Sequence, residues 1–314
     1  MNYRVQNLAG TLLPLIAGLS FNATAAEPSL PPPPAPPRNL IVPDQGKLLL
    51  TAGFNDADGA GGGGLLPFAL ISGYGSDESY GANVHYTYAP LRDFELKTYG
   101  VAVGVLDRIE LTIARQDFEA TDTALDGVSV SQDIFGIKVR VFGDAIYSQD
   151  NWVPQIAIGA QFKRHRGIDD AGALVSPKQL GAKDEDGTDY YLAATKVLLN
   201  QNLLLNLQLR YTEANQFGLL GFGGDRDDGY SATVGGSIGY LLTRKFALGA
   251  EYRGKSHNLA ADDEDAAWDV FAAWAPTRNI SVVAAYLNIG SVLAPVTTVT
   301  ADQQGPYLSL QAGF

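Results

Sequence analysis

The stretch "LLLNLQLRYTEA", residues 203–214, alternates without a slip. Leu203, Leu205, Leu207, Leu209 and Tyr211 fall on one side of an extended chain; Leu204, Asn206, Gln208, Arg210 and Thr212 fall on the other. Side chains of a strand point to opposite faces with period two, whereas a helix repeats every 3.6 residues. The segment is therefore a strand with one greasy face and one mainly polar face. The habit recurs on both sides of it. "RIELTIARQ" (108–116) sets Ile109, Leu111 and Ile113 against Arg108, Glu110, Thr112 and Gln116. "DIFGIKVRVFG" (133–143) sets Phe135, Ile137, Val139 and Val141 against Gly136, Lys138 and Arg140. "GYSATVGGSIGY" (229–240) and "KFALGAEYRGK" (245–255) do the same, with Glu251, Arg253 and Lys255 on the polar side of the second. One segment is mixed: "FELKTYGVAVGV" (94–105) puts Glu95 and Lys97 on the parity of Tyr99, Val101 and Val103. Either a bulge resets its register or its charged end lies beyond a bilayer.

Extended over the chain, the pattern predicts strands near 47–54, 66–75, 79–89, 94–104, 107–118, 131–142, 152–163, 188–199, 203–214, 229–241, 245–256, 266–275, 280–289 and 305–314. That makes fourteen, with twelve as the smaller count the pattern allows. The connections tend to alternate long (55–65, 119–130, 164–187, 215–228, 257–265, 290–304) and short (76–78, 105–106, 200–202, 242–244, 276–279). Links 90–93 and 143–151 break that alternation. Segregated loop lengths, an even strand number and alternating segments of about ten residues are the marks of an up-and-down transmembrane β-barrel. Such a closed barrel is, with the helix, the only way to cross lipid without unpaired backbone. The last residues, "GPYLSLQAGF", bring Leu308, Leu310, Ala312 and a terminal Phe314 onto one face. Phe314 is expected to anchor at the periplasmic interface and to be read by barrel-assembly machinery.

The 314 residues carry 34 acids, 22 bases and no cysteine, a formal charge of −12. No basic stripe is present, so nucleic acid, whose binding is dominated by phosphate neutralisation, is excluded as a partner. The acids concentrate in the long connections: Asp56 and Asp58, Asp122 and Asp126, Asp169 to Asp186, Asp225 to Asp228, and Asp262 to Asp265. They predict an acidic surface at one end, facing lipopolysaccharide. At the start, Arg4, an apolar run (8–21) and "ATA" (23–25) have the form of an export signal. The run is too short for a spanning helix, which needs ~20 residues. "PSLPPPPAPP" (28–37) favours a stiff polyproline II spacer. The expected organisation is a signal peptide at 1–25, a Pro-rich periplasmic linker at 26–45 and a barrel at 46–314.

"GKLLLTAGF" (46–54), "GGGGLLPFALISGYG" (61–75), "GANVHYTY" (81–88) and "LKTYGVAVGVLDRIELTIARQDF" (96–118) together resemble a family of uncharacterised proteins from Gram-negative bacteria, domain-of-unknown-function family 3034. The resemblance implies an outer-membrane location. It supplies no activity, ligand or catalytic residue.

Motifs for chemistry are weak. "DGAGGGGLLPF" (58–68) lacks the Lys-Ser/Thr and following helix of a phosphate loop. It reads as a flexible hairpin tip or as a segment tucked into the barrel mouth. "KDEDGTD" (183–189) fails as an EF-hand: with Gly187 sixth, Ala182 and Ala193 occupy the first and twelfth positions. Loose binding of divalent ions by loop acids stays open. His85, His165 and His257 have no nucleophile motif beside them, so no catalytic residue, cofactor or metal site is assigned.

If the apolar faces meet lipid, Lys138, Arg140, Lys163, Arg210, Arg253 and Lys255 point inward together with Glu110 and Glu251. These eight are the candidate pore-lining residues. They suit a passive channel for small solutes with a basic, anion-preferring lumen. One alternative is a structural or surface-interaction barrel whose lumen is plugged by residues 55–65 or by the N-terminal tract, with acidic divalent-binding loops. Another is a carrier for apolar compounds, marked by an apolar pocket inside the wall. A lipid hydrolase would need one of the histidines. Substrate and oligomeric state are not encoded in any recognisable motif.

Overall fold

A computed structural model describes residues 47–121, 126–169, 176–293 and 301–314. The predicted signal peptide and Pro-rich linker lie outside the described residues. Twelve antiparallel strands close into one barrel, each paired with its neighbours in sequence and the first with the last. They are β1 (Tyr80–Pro90), β2 (Phe94–Val105), β3 (Ile109–Ala120), β4 (Ser129–Phe142), β5 (Gln155–Asp169), β6 (Gly187–Leu198), β7 (Leu203–Thr212), β8 (Ser231–Thr243), β9 (Phe246–Arg253), β10 (Ala267–Trp274), β11 (Ile280–Asn288) and β12 (Gln304–Gly313). β7 is the quoted stretch almost to the residue. Along β2 the register to β1 and β3 runs unbroken from Phe94 to Val105. No bulge resets it, and Glu95 and Lys97 sit on the outer face at the long-loop end, paired to each other beside Glu119.

The wall is inverted relative to a soluble protein. Ile113 and Leu207 are each 60% exposed, and Leu111, Ile137, Ile158, Leu209, Val234, Leu308 and Leu310 are exposed with them. Their strand neighbours Thr112, Gln161, Gln208, Ser237, Ser309 and Gln311 are buried. A continuous apolar belt over a closed ladder is stable only against lipid. Aromatic rings mark its two rims. Tyr230 packs against Tyr211 (4.7 Å between centroids) and Tyr190 (6.1 Å), and Trp268 against Tyr286 (6.5 Å), at the long-loop end. Phe142, Trp152, Trp274 and Phe314 are exposed at the other. Such girdles sit at the membrane–water interfaces of outer-membrane-type barrels.

The seam pairs Asn83–Tyr88 of β1 with Leu308–Gly313 of β12. Phe314 extends it: its N–H donates to Ala82 O (2.8 Å), and its carbonyl accepts from Ala82 N (3.0 Å) and Tyr74 N (2.8 Å).

Two of the fourteen expected strands, 47–54 and 66–75, are not in the wall. They form an insert, residues 47–79, that fills the lumen. Ala52, Asn55, Asp56, Asp58, Ala60, Leu66, Ala69, Ile71 and Tyr74 are all buried. Asp56 and Asp58 are thus interior groups and not part of an acidic outer loop. Asp262 and Glu264 are likewise buried, whereas Asp126, Asp184, Asp225, Asp227 and Asp263 are exposed as expected. Asp122 and Asp170 lie outside the described residues.

Candidate functional site: the lumen and its insert

The insert has little ladder of its own. Isolated bridges join Asn55 to Gly61 and Gly62 to Pro67. A few turn bonds, such as Asp56 N to Ala60 O (2.8 Å) and Gly73 N to Ala52 O (2.7 Å), fold it back on itself. Gly59 takes φ +92° at the tip, a conformation that favours glycine. Buried N–H and C=O groups must still find partners, and here the inward side chains of the wall supply them. Glu110 accepts from Gly61 N (2.9 Å) and Ser72 N (2.8 Å). Glu251 accepts from Gly64 N (2.6 Å), Leu65 N (2.7 Å) and Ser237 Oγ (2.6 Å). Gln311 Oε1 accepts from Asn55 N (2.7 Å), and Thr195 Oγ1 from Ala69 N (2.7 Å). In return Lys138 Nζ donates to Gly61 O (2.8 Å), Gln116 Nε2 to Ala57 O (2.6 Å), Gln155 Nε2 to Ala69 O (2.6 Å) and Arg253 Nη1 to Leu65 O (3.1 Å). The glycine run 61–64 is what lets the carboxylates close on the backbone: a Cβ on Gly63 would lie 1.9 Å from Glu251 Oε1.

Lower in the lumen the contact is apolar. Leu50, Phe54 and Phe68 of the insert face Val197, Leu204, Ala247, Phe271 and Val283 across a cavity of about 50 Å³. Ligand pockets for drug-sized molecules are typically about 300–1,000 Å³. The apolar pocket that a carrier of greasy compounds would show is present in kind, but at this volume it is too small for one.

Around the insert tip the wall charges converge. Asp58 Oδ2 meets Arg253 Nη2 (2.9 Å), Lys163 Nζ (3.2 Å) and Arg210 Nη1 (3.6 Å). Asp189 of β6 also meets Lys163 (3.1 Å) and Arg210 (2.8 Å). Glu110 pairs with Lys138 at 3.0 Å. Six of the eight predicted lining residues, Lys138, Lys163, Arg210, Arg253, Glu110 and Glu251, therefore touch the insert. The other two do not. Arg140 sits at the short-turn rim, bonded to Asp107 and to Gly143 O. Lys255 sits at the opposite mouth, bonded to Gln216 Oε1 (2.9 Å) and Ile289 O (2.7 Å) and 3.7 Å from Glu264.

Two inward acids are missing from the eight expected lining residues. Asp189 and Asp269 are inward and buried, so the lining carries acids beside its bases: Asp189 pairs with Lys163 and Arg210, and Glu110 with Lys138. The signal was in the parity: Asp189 shares a face with Thr195, and Asp269 with Ala273. Asp189 is easily mistaken for the last acid of the "KDEDGTD" loop.

A cap closes the long-loop end. Phe217, on the β7–β8 connection, is held at φ 63°, costly for a bulky residue. Its carbonyl accepts from Lys163 Nζ (2.6 Å), and its ring lies under Arg253 (4.5 Å) and Lys255 (5.3 Å). Glu264 accepts from Gln216 N (3.0 Å) and has its pKa pushed up to about 8 by burial, against the pull of Lys255. Burial raises the Asp262 carboxyl as well.

His85 is buried with neither ring nitrogen bonded, His165 Nδ1 accepts from Gly167 N (3.0 Å), and His257 Nε2 lies 3.4 Å from Asp263. Among the described residues none hydrogen-bonds a serine, and no group of three or more His, Asp or Glu side chains is placed to hold a metal ion.

Fold and site together define a transmembrane β-barrel closed by a segment of its own chain. Residues 51–311 match the family model DUF3034, described as a protein of unknown function, and the chain belongs to that family. No curated protein matches it. Among solved structures it is similar to the KdgM porin (11% identity over 74% of this chain and 99% of that one, TM-score 0.44). It is similar to the COG4313 outer membrane channel from Pseudomonas putida F1 (12%, 79% and 96%, 0.43). It is also similar to outer membrane phospholipase A from Escherichia coli (8%, 77% and 94%, 0.40).

Proposed function

We propose that the protein is an outer-membrane conduit for small polar solutes, in a Gram-negative bacterium, whose resting state is closed by residues 47–79. The observation that carries this reading is that the obstruction is separable. The wall ladder from β1 round to β12 is complete without the insert. Both ends of the insert leave at the same rim: Lys47 pairs with Asp107 of the β2–β3 turn (2.7 Å), and Ser79 O accepts from Leu106 N of that turn (3.1 Å). Here the wall presents carboxylates, amides and bases that bond the insert and would be solvated if it left. Phe314 at the same rim is the residue expected to meet the assembly machinery, and that rim is accordingly periplasmic.

The test is conductance in planar bilayers. Ala52 and Gly73 are hydrogen-bonded neighbours, so residues 53–72 can be excised and the chain rejoined there. The full chain is expected to be silent apart from brief openings, and the excised barrel to conduct steadily. An excised barrel that inserts and stays silent would refute the conduit. A second reading, a permanently closed structural or surface barrel, is favoured by one feature, the Phe217 cap seated over the insert tip; silence of the excised barrel is its expected result.

A further inference from the structure

We infer that Lys163, Arg210 and Arg253 form a carboxylate-binding cage and that Asp58 is its built-in occupant, so that the solutes taken by the open barrel carry a carboxylate. The part about solutes rests on the conduit reading; the cage itself does not.

The three bases come from β5, β7 and β9 and converge on a single oxygen, Asp58 Oδ2. The other oxygen of Asp58 accepts from Gln116 Nε2 (3.2 Å). Both oxygens of one carboxylate are therefore met, one by charge and one by an amide. The wall alone does not neutralise these bases. Lys163 and Arg210 share Asp189, whereas among the described residues no wall acid pairs with Arg253, which meets Asp58 and Leu65 O of the insert and the Phe217 ring of the cap. Beside them, Arg210 Nε and Nη2 and the side-chain nitrogens of Gln161 and Gln208 are buried donors with no partner among the described residues. A donor-rich, positively charged pocket of this kind holds an anion or is costly to bury. In the closed barrel Asp58 is that anion. When the insert leaves, the same three bases of the cage face the lumen with a single wall carboxylate, Asp189, paired among them. Asp189 at its edge repels a second negative charge, which favours a monoanionic carboxylate over a phosphate dianion.

Chemical rescue tests this. The chain has no cysteine, so Ser72→Cys, at a buried insert position, reports insert departure through its rate of maleimide labelling. Labelling is read on barrels shown to be folded by heat-dependent gel migration. Adding Asp58→Ala is expected to raise the rate at least tenfold. Acetate should then slow it saturably, while acetamide, and chloride at equal ionic strength, should not. Arg253→Gln on top should abolish the acetate effect. Should Asp58→Ala not fold, Asp58→Asn keeps the shape and removes the charge. Acetate acting no better than chloride, or no acceleration on loss of Asp58, overturns the cage. Equal protection by inorganic phosphate overturns the assignment to carboxylates. Conductance plays no part in this readout, so a silent excised barrel would sink the conduit and leave the cage intact.

Discussion

Gly63→Ala is expected to unlatch the insert while leaving the wall standing. The added Cβ would lie 1.9 Å from Glu251 Oε1 and 2.5 Å from its Cδ. The obstructing atoms end a flexible side chain, so the clash alone is soluble by rotation. What matters is what that carboxylate holds. Turning it away gives up the bonds from Gly64 N (2.6 Å) and Leu65 N (2.7 Å) and strands two buried N–H groups. Hydrogen bonds to a charged group contribute about 1.5–3 kcal/mol each, so the docked insert should lose roughly 3–6 kcal/mol. At about 1.4 kcal/mol per tenfold, the undocked population should rise roughly 10²- to 10⁴-fold. Maleimide labelling of Ser72→Cys in the Gly63→Ala background measures that ratio directly. Gly236→Ala, whose Cβ would meet nothing nearer than 3.6 Å, is the matched control. Ser237→Ala removes a third bond to Glu251 without touching the insert and should give a smaller rise. Labelling of Gly63→Ala at the parental rate would show that Glu251 does not latch the insert.

Glu110→Ala leaves Lys138, 1% exposed, without its anion. Breaking a buried pair costs about 3–5 kcal/mol, read as a lower urea midpoint for insert release; Glu110→Ala combined with Lys138→Met should recover most of it. Leu207→Arg, on the lipid face of β7 near mid-strand, should destabilise the barrel by about 2–4 kcal/mol in bilayer folding titrations. The cap should respond to alkali. The folded pKa of Glu264 is raised, so its contribution is complete below its unfolded value near 4.5 and fades as pH rises through about 8. Amide exchange of residues 216–220, corrected for its intrinsic pH dependence, should accelerate between about pH 7 and 9, and Glu264→Gln should flatten that rise.

The wall was legible because lipid outside and polar lumen inside impose a strict two-residue period. β3, β7 and β9 could be written down from that period alone. The insert was half legible: a plug of residues 55–65 was one reading, but its flanks 47–54 and 66–75 come in strand-length apolar runs and read as wall strands. A distinguishing mark was present: Leu65, Leu66, Phe68, Ala69, Leu70 and Ile71 form a run with no polar residue on either face. A wall strand here needs polar residues on one side, and only a segment surrounded by protein can dispense with them. The charges were placed on the correct face, but their partners were not foreseeable. Asp58 lies in a glycine-rich turn that the sequence reads either as a hairpin tip or as a segment tucked into the barrel mouth. Its pairing with Lys163, Arg210 and Arg253 depends on more than a hundred residues of intervening chain closing into a ring first.

That ring also permits an order of assembly. The segment that ends up enclosed is made before any of the twelve staves that surround it, and the final stave is the one stitched back to β1. Phe314, bonded at once to Ala82 and to Tyr74, is the last stitch and fastens wall and contents together. The chain can therefore be sewn around its own mandrel, so that first assembly needs no threading of a cylinder already closed.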